Sequence, residues 1–209
     1  MDLLTRLDDV RRGNDVLRHS FYRRWSAGTL GREELAFYAG EYRHAVVALA
    51  AQSEAAAEHA EPALRPGLAA HAREETAHIE IWDRFAEALE AETTRSPLPS
   101  TLACAEAWTG GDDLLDRLAV LYAVEASQPA ISRTKLEGLS EHYGFEPEHP
   151  ANAYFALHAE RDVAHAAAAA RLIAERSGGA DEDRLVGLAE RALRGNWALL
   201  DGVEERFAA

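Results

Sequence analysis

The chain has 209 residues, a formal net charge of −14, 47% hydrophobic residues and 28% charged residues. That length suits one domain with a substantial core. The charge disfavours a nucleic-acid backbone or an anionic membrane surface as partner, because both attract Lys and Arg. One cysteine, Cys104, excludes an intrachain disulfide and a cysteine-rich zinc motif, and fits a reducing cytoplasm.

In chain order, residues 3–21 read as an amphipathic helix, charged throughout and without the apolar stretch of a secretory signal. The turn "SAGTLG" leads to a helix over 32–60, and "EPALRPG" breaks the pattern before another over 68–92. The Pro- and Ser-rich "TTRSPLPS" reads as a loop, 101–111 as a short helix, and 112–144 as a longer one with Pro129 inside. "FEPEHPAN" precedes the helix beginning at Tyr154, and "SGGADED" precedes a last helix over 184–207. No run has strand-like alternation, and no uncharged run is long enough to span a bilayer. The reading is all-α: a single cytoplasmic domain over residues 1–209 with about seven helices.

Positions spaced 3, 4, 3, 4 share one stripe of a helix. From Phe155 that stripe runs through His158, Asp162, His165, Ala169 and Leu172. A second runs through Leu68, His71, Glu75, His78, Trp82, Phe85 and Leu89, a third through Leu118, Tyr122, Glu125 and Pro129, and a fourth through Tyr38, Glu41 and Ala45, although "GEYRHAV" could equally place His44 inward or leave Glu41 in a structural hydrogen bond. Glu74 is the rival of Glu75, since it lies four residues before His78 and helix phase does not separate the two. An unpartnered carboxylate on a core-facing stripe costs several kcal/mol, so it is normally paired or bound to metal. One such histidine is more often a hydrogen-bonded core residue. Four helices making the same exception point to a di-metal centre, the carboxylate and imidazole set that holds two iron or manganese ions. Pro129 cannot donate to the Glu125 carbonyl, so a kink is expected beside that ligand.

The stretches "HSFYRRWSAGTLGREELAFYAGEY", "REETAHIEIWDRF", "LYAVEASQPAISRTKLEGLSEHYGF" and "YFALHAERDVAHA" resemble the heme-oxygenase-like di-iron oxidases, relatives of TenA and PqqC, over nearly the whole chain. The resemblance implies a heme-oxygenase-like helical bundle, two Fe ions or a Mn/Fe pair, O2 as co-substrate and a reductant. It implies ligands at Glu75 or Glu74, His78, Glu125, His158, Asp162 and His165, with Glu41 at the position of a carboxylate that some members add. Relatives have a longer segment than "EETAH" between the glutamates and the histidine, so the first carboxylate stays open between Glu74 and Glu75. Within the family the chain is most similar to a chlamydial and bacterial branch linked to O2-dependent para-aminobenzoate synthesis for folate. Members of that branch consume a tyrosine and a lysine of their own; Tyr22 matches the consumed tyrosine, Tyr38 a second tyrosine, and Lys135 the amino donor. The resemblance also implies a homodimer.

Five other readings accompany these. The first is a di-iron oxidase acting on a small amine or amino acid, by N-oxygenation or C–C cleavage. A TenA-like hydrolase needs a pocket cysteine, which "LYAVEASQP" lacks. A metal-free PqqC-like enzyme leaves Glu125, Asp162 and the histidines without a common purpose, and for a helical regulatory protein the acidic charge argues against direct DNA binding. A heme protein needs a proximal histidine on the first helix, where His19 is the candidate.

Overall fold

The computed structural model describes residues 2–208, and they form α-helices and 3-10 turns with no strand among them. The helices are α1 (Leu3–Gly13), α2 (Ser20–Ser26), α3 (Arg32–Glu58), α4 (Arg65–Ala88), α5 (Pro99–Trp108), α6 (Leu114–Glu125), α7 (Gln128–Glu141), α8 (Ala153–Arg176) and α9 (Glu182–Phe207). The all-α reading therefore holds. None of the described helices is long and apolar enough to cross a membrane.

Two of the seven expected segments are each divided. Residues 3–21 split because Asp15 caps a 3-10 turn through the Leu17 N–H, and His19 then starts α2 by accepting the Phe21 N–H at its Nδ1. Residues 112–144 split at Ala126 and Ser127, with Pro129 in the first turn of α7. A proline is tolerated there because its missing N–H would have no intrahelical partner. The kink expected at Glu125 is thus a full break. It lets α6 pack on α8 and α9 while α7 packs on α8 and α2.

Three buried indoles tie neighbouring helices together. Trp82 Nε1 donates to the Ala39 carbonyl (2.9 Å), Trp108 Nε1 to Ala192 (3.0 Å) and Trp25 Nε1 to Lys135 (3.3 Å). Each satisfies a polar atom that burial would otherwise penalise. At the last contact α7 presents Gly138, where an added Cβ would collide with the Trp25 indole. Glycine is therefore required for α2 to lie against the helix that carries Lys135.

Candidate metal centre

The seams read from the sequence converge where α4, α6 and α8 meet. On α4, Glu75 and His78 are buried and His71 is nearly so; on α6, Glu125 is buried; on α8, His158 and Asp162 are buried and His165 is largely so. Two groups of potential metal donors form there: His71, Glu75 and His165, and Glu75, His78 and His158. Glu75 belongs to both. Its Oε1 lies 3.2 Å from His78 Nδ1, 3.6 Å from His71 Nε2 and 3.7 Å from His165 Nδ1. Around this centre Glu125 Oε1 stands 3.0 Å from His71 Nε2, and Asp162 Oδ2 stands 2.9 Å from His158 Nδ1.

The protein's own hydrogen bonds do not account for this cluster. Buried atoms without a hydrogen-bond partner include His71 Nε2, Glu75 Oε1, His78 Nδ1, both Glu125 oxygens, His158 Nε2, Asp162 Oδ1 and His165 Nδ1. Native interiors hold few such atoms, and leaving one carboxylate unsatisfied costs several kcal/mol. Concentrated in one place, on nitrogen and oxygen donors, they fit divalent transition metals of the iron–manganese class. The shared Glu75 suits a carboxylate held between two ions.

Burial would lower the His71 pKa, but the Glu125 and Glu75 carboxylates outweigh it and raise it to about 10. Glu75 is pulled the other way: burial disfavours its charge, yet His71 and His78 hold it well below the usual carboxylate range. Burial raises Glu125 despite the imidazole beside it. Such opposed shifts inside one pocket mark groups arranged for something other than stability.

The two rival glutamates differ in position, although Glu74 Oε2 is also a buried oxygen without a hydrogen-bond partner. Glu74 is outside both donor groups, with its side chain 38% exposed and Oε2 3.4 Å from both Arg161 and His165 Nε2. Glu41, expected as a metal-binding carboxylate, requires correction. It is buried but turned towards α5, where Oε2 accepts the Leu98 N–H (3.0 Å) and the Thr101 hydroxyl. The first N–H groups of a helix need an acceptor, and Glu41 is spent on that role. His71, conversely, was absent from the expected ligands. Its signal was on the page, since it precedes Glu75 by four residues on the same seam. A cavity of about 480 Å³, lined by Leu68, His71, Glu74, Glu125, Arg161 and His165 among others, opens the cluster to the outside.

The remaining candidates, Tyr22, Tyr38 and Lys135, come together in the buried aromatic packing between α2, α3, α4, α7 and α8. Lys135 is 1% exposed. Its Nζ lies 4.6 Å from the Tyr42 ring centre, 5.0 Å from Phe155, 5.1 Å from Tyr38, 5.5 Å from Trp82 and 5.7 Å from Tyr22. Nζ is hydrogen-bonded to the Tyr38 hydroxyl, and burial pushes its pKa well below the ordinary value. Burial also raises the Tyr22 and Tyr38 phenols well above theirs, and the Tyr22 hydroxyl has no hydrogen-bond partner.

This packing and the cluster share α4 and α8. Trp82 follows His78 by one turn, and Tyr154 precedes His158 by one turn. Tyr154 lies against the His158 imidazole at 4.1 Å between ring centres, Trp82 against Tyr154 at 4.9 Å, Tyr42 against Trp82 at 5.1 Å and Tyr38 against Tyr42 at 5.3 Å. The seam aromatics Phe85 and Tyr122 differ: Phe85 is fully buried, whereas the Tyr122 hydroxyl turns to Asp8 (2.8 Å).

Two rival readings lose their residues. Cys104 is fully buried on α5, outside both donor groups and the cavity, and burial pushes its thiol up. His19 has both ring nitrogens engaged, Nδ1 with the Phe21 N–H and Nε2 with Asp201 (2.9 Å), so neither is free for heme.

The architecture is that of the heme-oxygenase-like proteins. A protein of that fold from Shewanella denitrificans matches with a TM-score of 0.82 at 18% identity, covering 99% of this chain and 94% of its own. A TenA homologue from P. horikoshii matches at 0.77 and 17%, covering 97% and 96%. The chain belongs to the iron-containing redox enzyme family, whose model matches residues 39–201. Among curated relatives, a 4-aminobenzoate synthase of Chlamydia trachomatis is 34% identical over 79% of this chain and 77% of its own. Those of Chlamydia muridarum and Nitrosomonas europaea are 30% and 27% identical, covering 98% and 97% of this chain and 91% of each relative.

Proposed function

We propose that this redox enzyme is a di-metal, O2-dependent synthase of 4-aminobenzoate (para-aminobenzoate) that draws the ring from its own Tyr22 and the nitrogen from Lys135. The observation that carries the reading is the buried packing in which Tyr22, Tyr38 and a lysine amine lie against one another, joined to the donor cluster through Tyr42, Trp82 and Tyr154. His71, Glu75, His78, Glu125, His158, Asp162 and His165 would hold the ions. When bound, a Fe/Fe or Mn/Fe pair supplies electrons for O2 and the oxidising power that follows.

The protein's own residues do the rest. The aromatic walls exclude water, and burial lowers the Lys135 pKa, which favours the neutral, nucleophilic form of its amine. The Tyr22 hydroxyl is buried next to that of Tyr38, so the ring to be taken apart lies against the residue that contacts the Lys135 amine. The contacts through Tyr38, Tyr42, Trp82 and Tyr154 give electrons leaving this packing an aromatic route towards His158. The protein works in the cytoplasm as a homodimer on this reading, supplied with O2 and a reductant.

The experiment is to react the reduced, metal-loaded protein with O2 and no added substrate. Released para-aminobenzoate should carry 15N from labelled lysine and vanish with Tyr22→Phe; release unaffected by that change would overturn the reading. One observation favours a second reading. The 480 Å³ cavity reaches Glu74 and Glu125, which suits a small cationic amine or amino acid as an external substrate of the same centre.

A further inference from the structure

We propose that a second cavity, between α3, the end of α9 and the segment joining α4 to α5, binds a small aromatic acid that also carries an amine. Aminobenzoates and aromatic α-amino acids share that chemistry. The proposal concerns recognition of the ligand and not its formation, so it stands or falls apart from the synthase reading.

The cavity has a volume of about 350 Å³, within the range of small-molecule sites. None of its lining residues belongs to the donor groups or to the 480 Å³ cavity. Phe37, Gly40 and Glu41 come from α3, Arg95 from the α4–α5 connection, and Arg206 and Phe207 from α9. Gly40 shapes the wall. A Cβ there would stand 2.7 Å from the Glu92 carbonyl oxygen, so any side chain would push the connection off α3.

Glu41 is 2% exposed, and its Oε2 serves the Leu98 N–H and the Thr101 hydroxyl. Among the described residues nothing donates to Oε1, yet Oε1 is not sealed from solvent, so it is the oxygen that Glu41 turns to the cavity. At the rim Glu90 pairs with Arg32 (2.9 Å) and Glu92 with Arg95 (2.7 Å). That leaves Glu33 and Glu41 to receive an amine, and Arg206, without a carboxylate partner among the described residues, to receive a carboxylate. A simple anion would meet the free carboxylates, and a simple cation would meet the guanidiniums. A molecule with both groups satisfies both sides. Between them Phe37 and Phe207 stand edge to face with ring centres 5.6 Å apart, and the Arg95 guanidinium lies 5.0 Å over Phe37. A planar ring extends that stack better than an aliphatic chain does.

The test is calorimetric titration of the purified chain with para-aminobenzoate and with L-phenylalanine. Saturable binding of one molecule per chain is expected. Tighter binding of para-aminobenzoate would make this a product site and tighter binding of phenylalanine an amino-acid site; either upholds the proposal. Benzoate, aniline and glycine each lack one of the three recognised features and should bind about tenfold more weakly or worse. Glu41→Gln keeps an acceptor for Leu98 and Thr101 but puts an amide N–H2 in place of Oε1, and should weaken binding about tenfold. Arg206→Gln, at an exposed residue, should do the same and leave the unfolding temperature unchanged. No saturable binding of either ligand at millimolar concentration, or benzoate bound as tightly as para-aminobenzoate, would overturn the proposal. So would binding that neither variant weakens; its loss in Arg161→Gln instead would seat the ligand in the cavity of the metal centre. Binding with these losses, in a protein whose Fe(II)-loaded form releases no para-aminobenzoate under O2, would uphold the site and overturn only the synthase.

Discussion

His71 Nε2 on α4 and Glu125 Oε1 on α6 lie 3.0 Å apart without forming a hydrogen bond of good geometry. The pair closes the side of the cluster that faces the cavity. An imidazole between Glu125 and Glu75 is in a ligand's position even though no such role was read from the sequence.

His71→Ala should therefore lower the metal content by about one ion per chain, whereas Glu74→Gln, at the cavity mouth, should leave it unchanged. Metal analysis of the two purified variants decides this. Equal losses in both would return Glu74 to the ligand set.

Tyr22→Phe should remove product without weakening the fold. The Tyr22 hydroxyl is buried and unpartnered, so its deletion relieves an unsatisfied group and should leave stability the same or higher by about 1 kcal/mol. Denaturant unfolding measures the stability. A loss of more than about 2 kcal/mol would mean that the hydroxyl has a partner in solution.

These two predictions show where the sequence was legible. The 3, 4 spacing on α8 identified His158, Asp162 and His165 because a helix obliges such residues to share a face. The same rule placed His71, Glu75 and His78 on one seam, but it did not distinguish Glu75 from Glu74, which are adjacent and differ only in helix phase. Glu41 takes the other role its position allows, a structural hydrogen bond. Its stripe does face inward, but its partner is the start of α5, some 57 residues away in sequence, a contact that no local pattern reports. Pro129 signalled a disturbance beside Glu125, and the structure shows a new helix there. The aromatic cage of Lys135 draws its rings from four helices, so no local stretch contains it.

Glu41→Ala should cost about 2–3 kcal/mol, the scale of hydrogen bonds to a charged group, and leave metal content unchanged. Thermal unfolding and metal analysis on the same sample check both halves. Metal loss at full stability would reinstate Glu41 as a ligand.

Lys135 makes stability depend on pH. Its folded pKa lies below the ordinary lysine value because burial penalises the ammonium. Between the folded and unfolded pKa values the unfolded chain binds one more proton, so stability rises with pH by about 1.4 kcal/mol per unit and levels off above the unfolded value. Lys135→Met should remove that slope and raise the unfolding temperature at neutral pH. Unfolding of both proteins across alkaline pH tests this, and parallel curves would show that Lys135 is charged in the fold.

The central claim is a two-ion centre built around Glu75, and the most direct measurement is metal content per chain after anaerobic Fe(II) loading, for the wild type and Glu75→Ala. The account predicts about two ions in the wild type and loss of both in the variant, because Glu75 belongs to both donor groups. A wild type that takes up no metal, or a variant that keeps two ions, would contradict it.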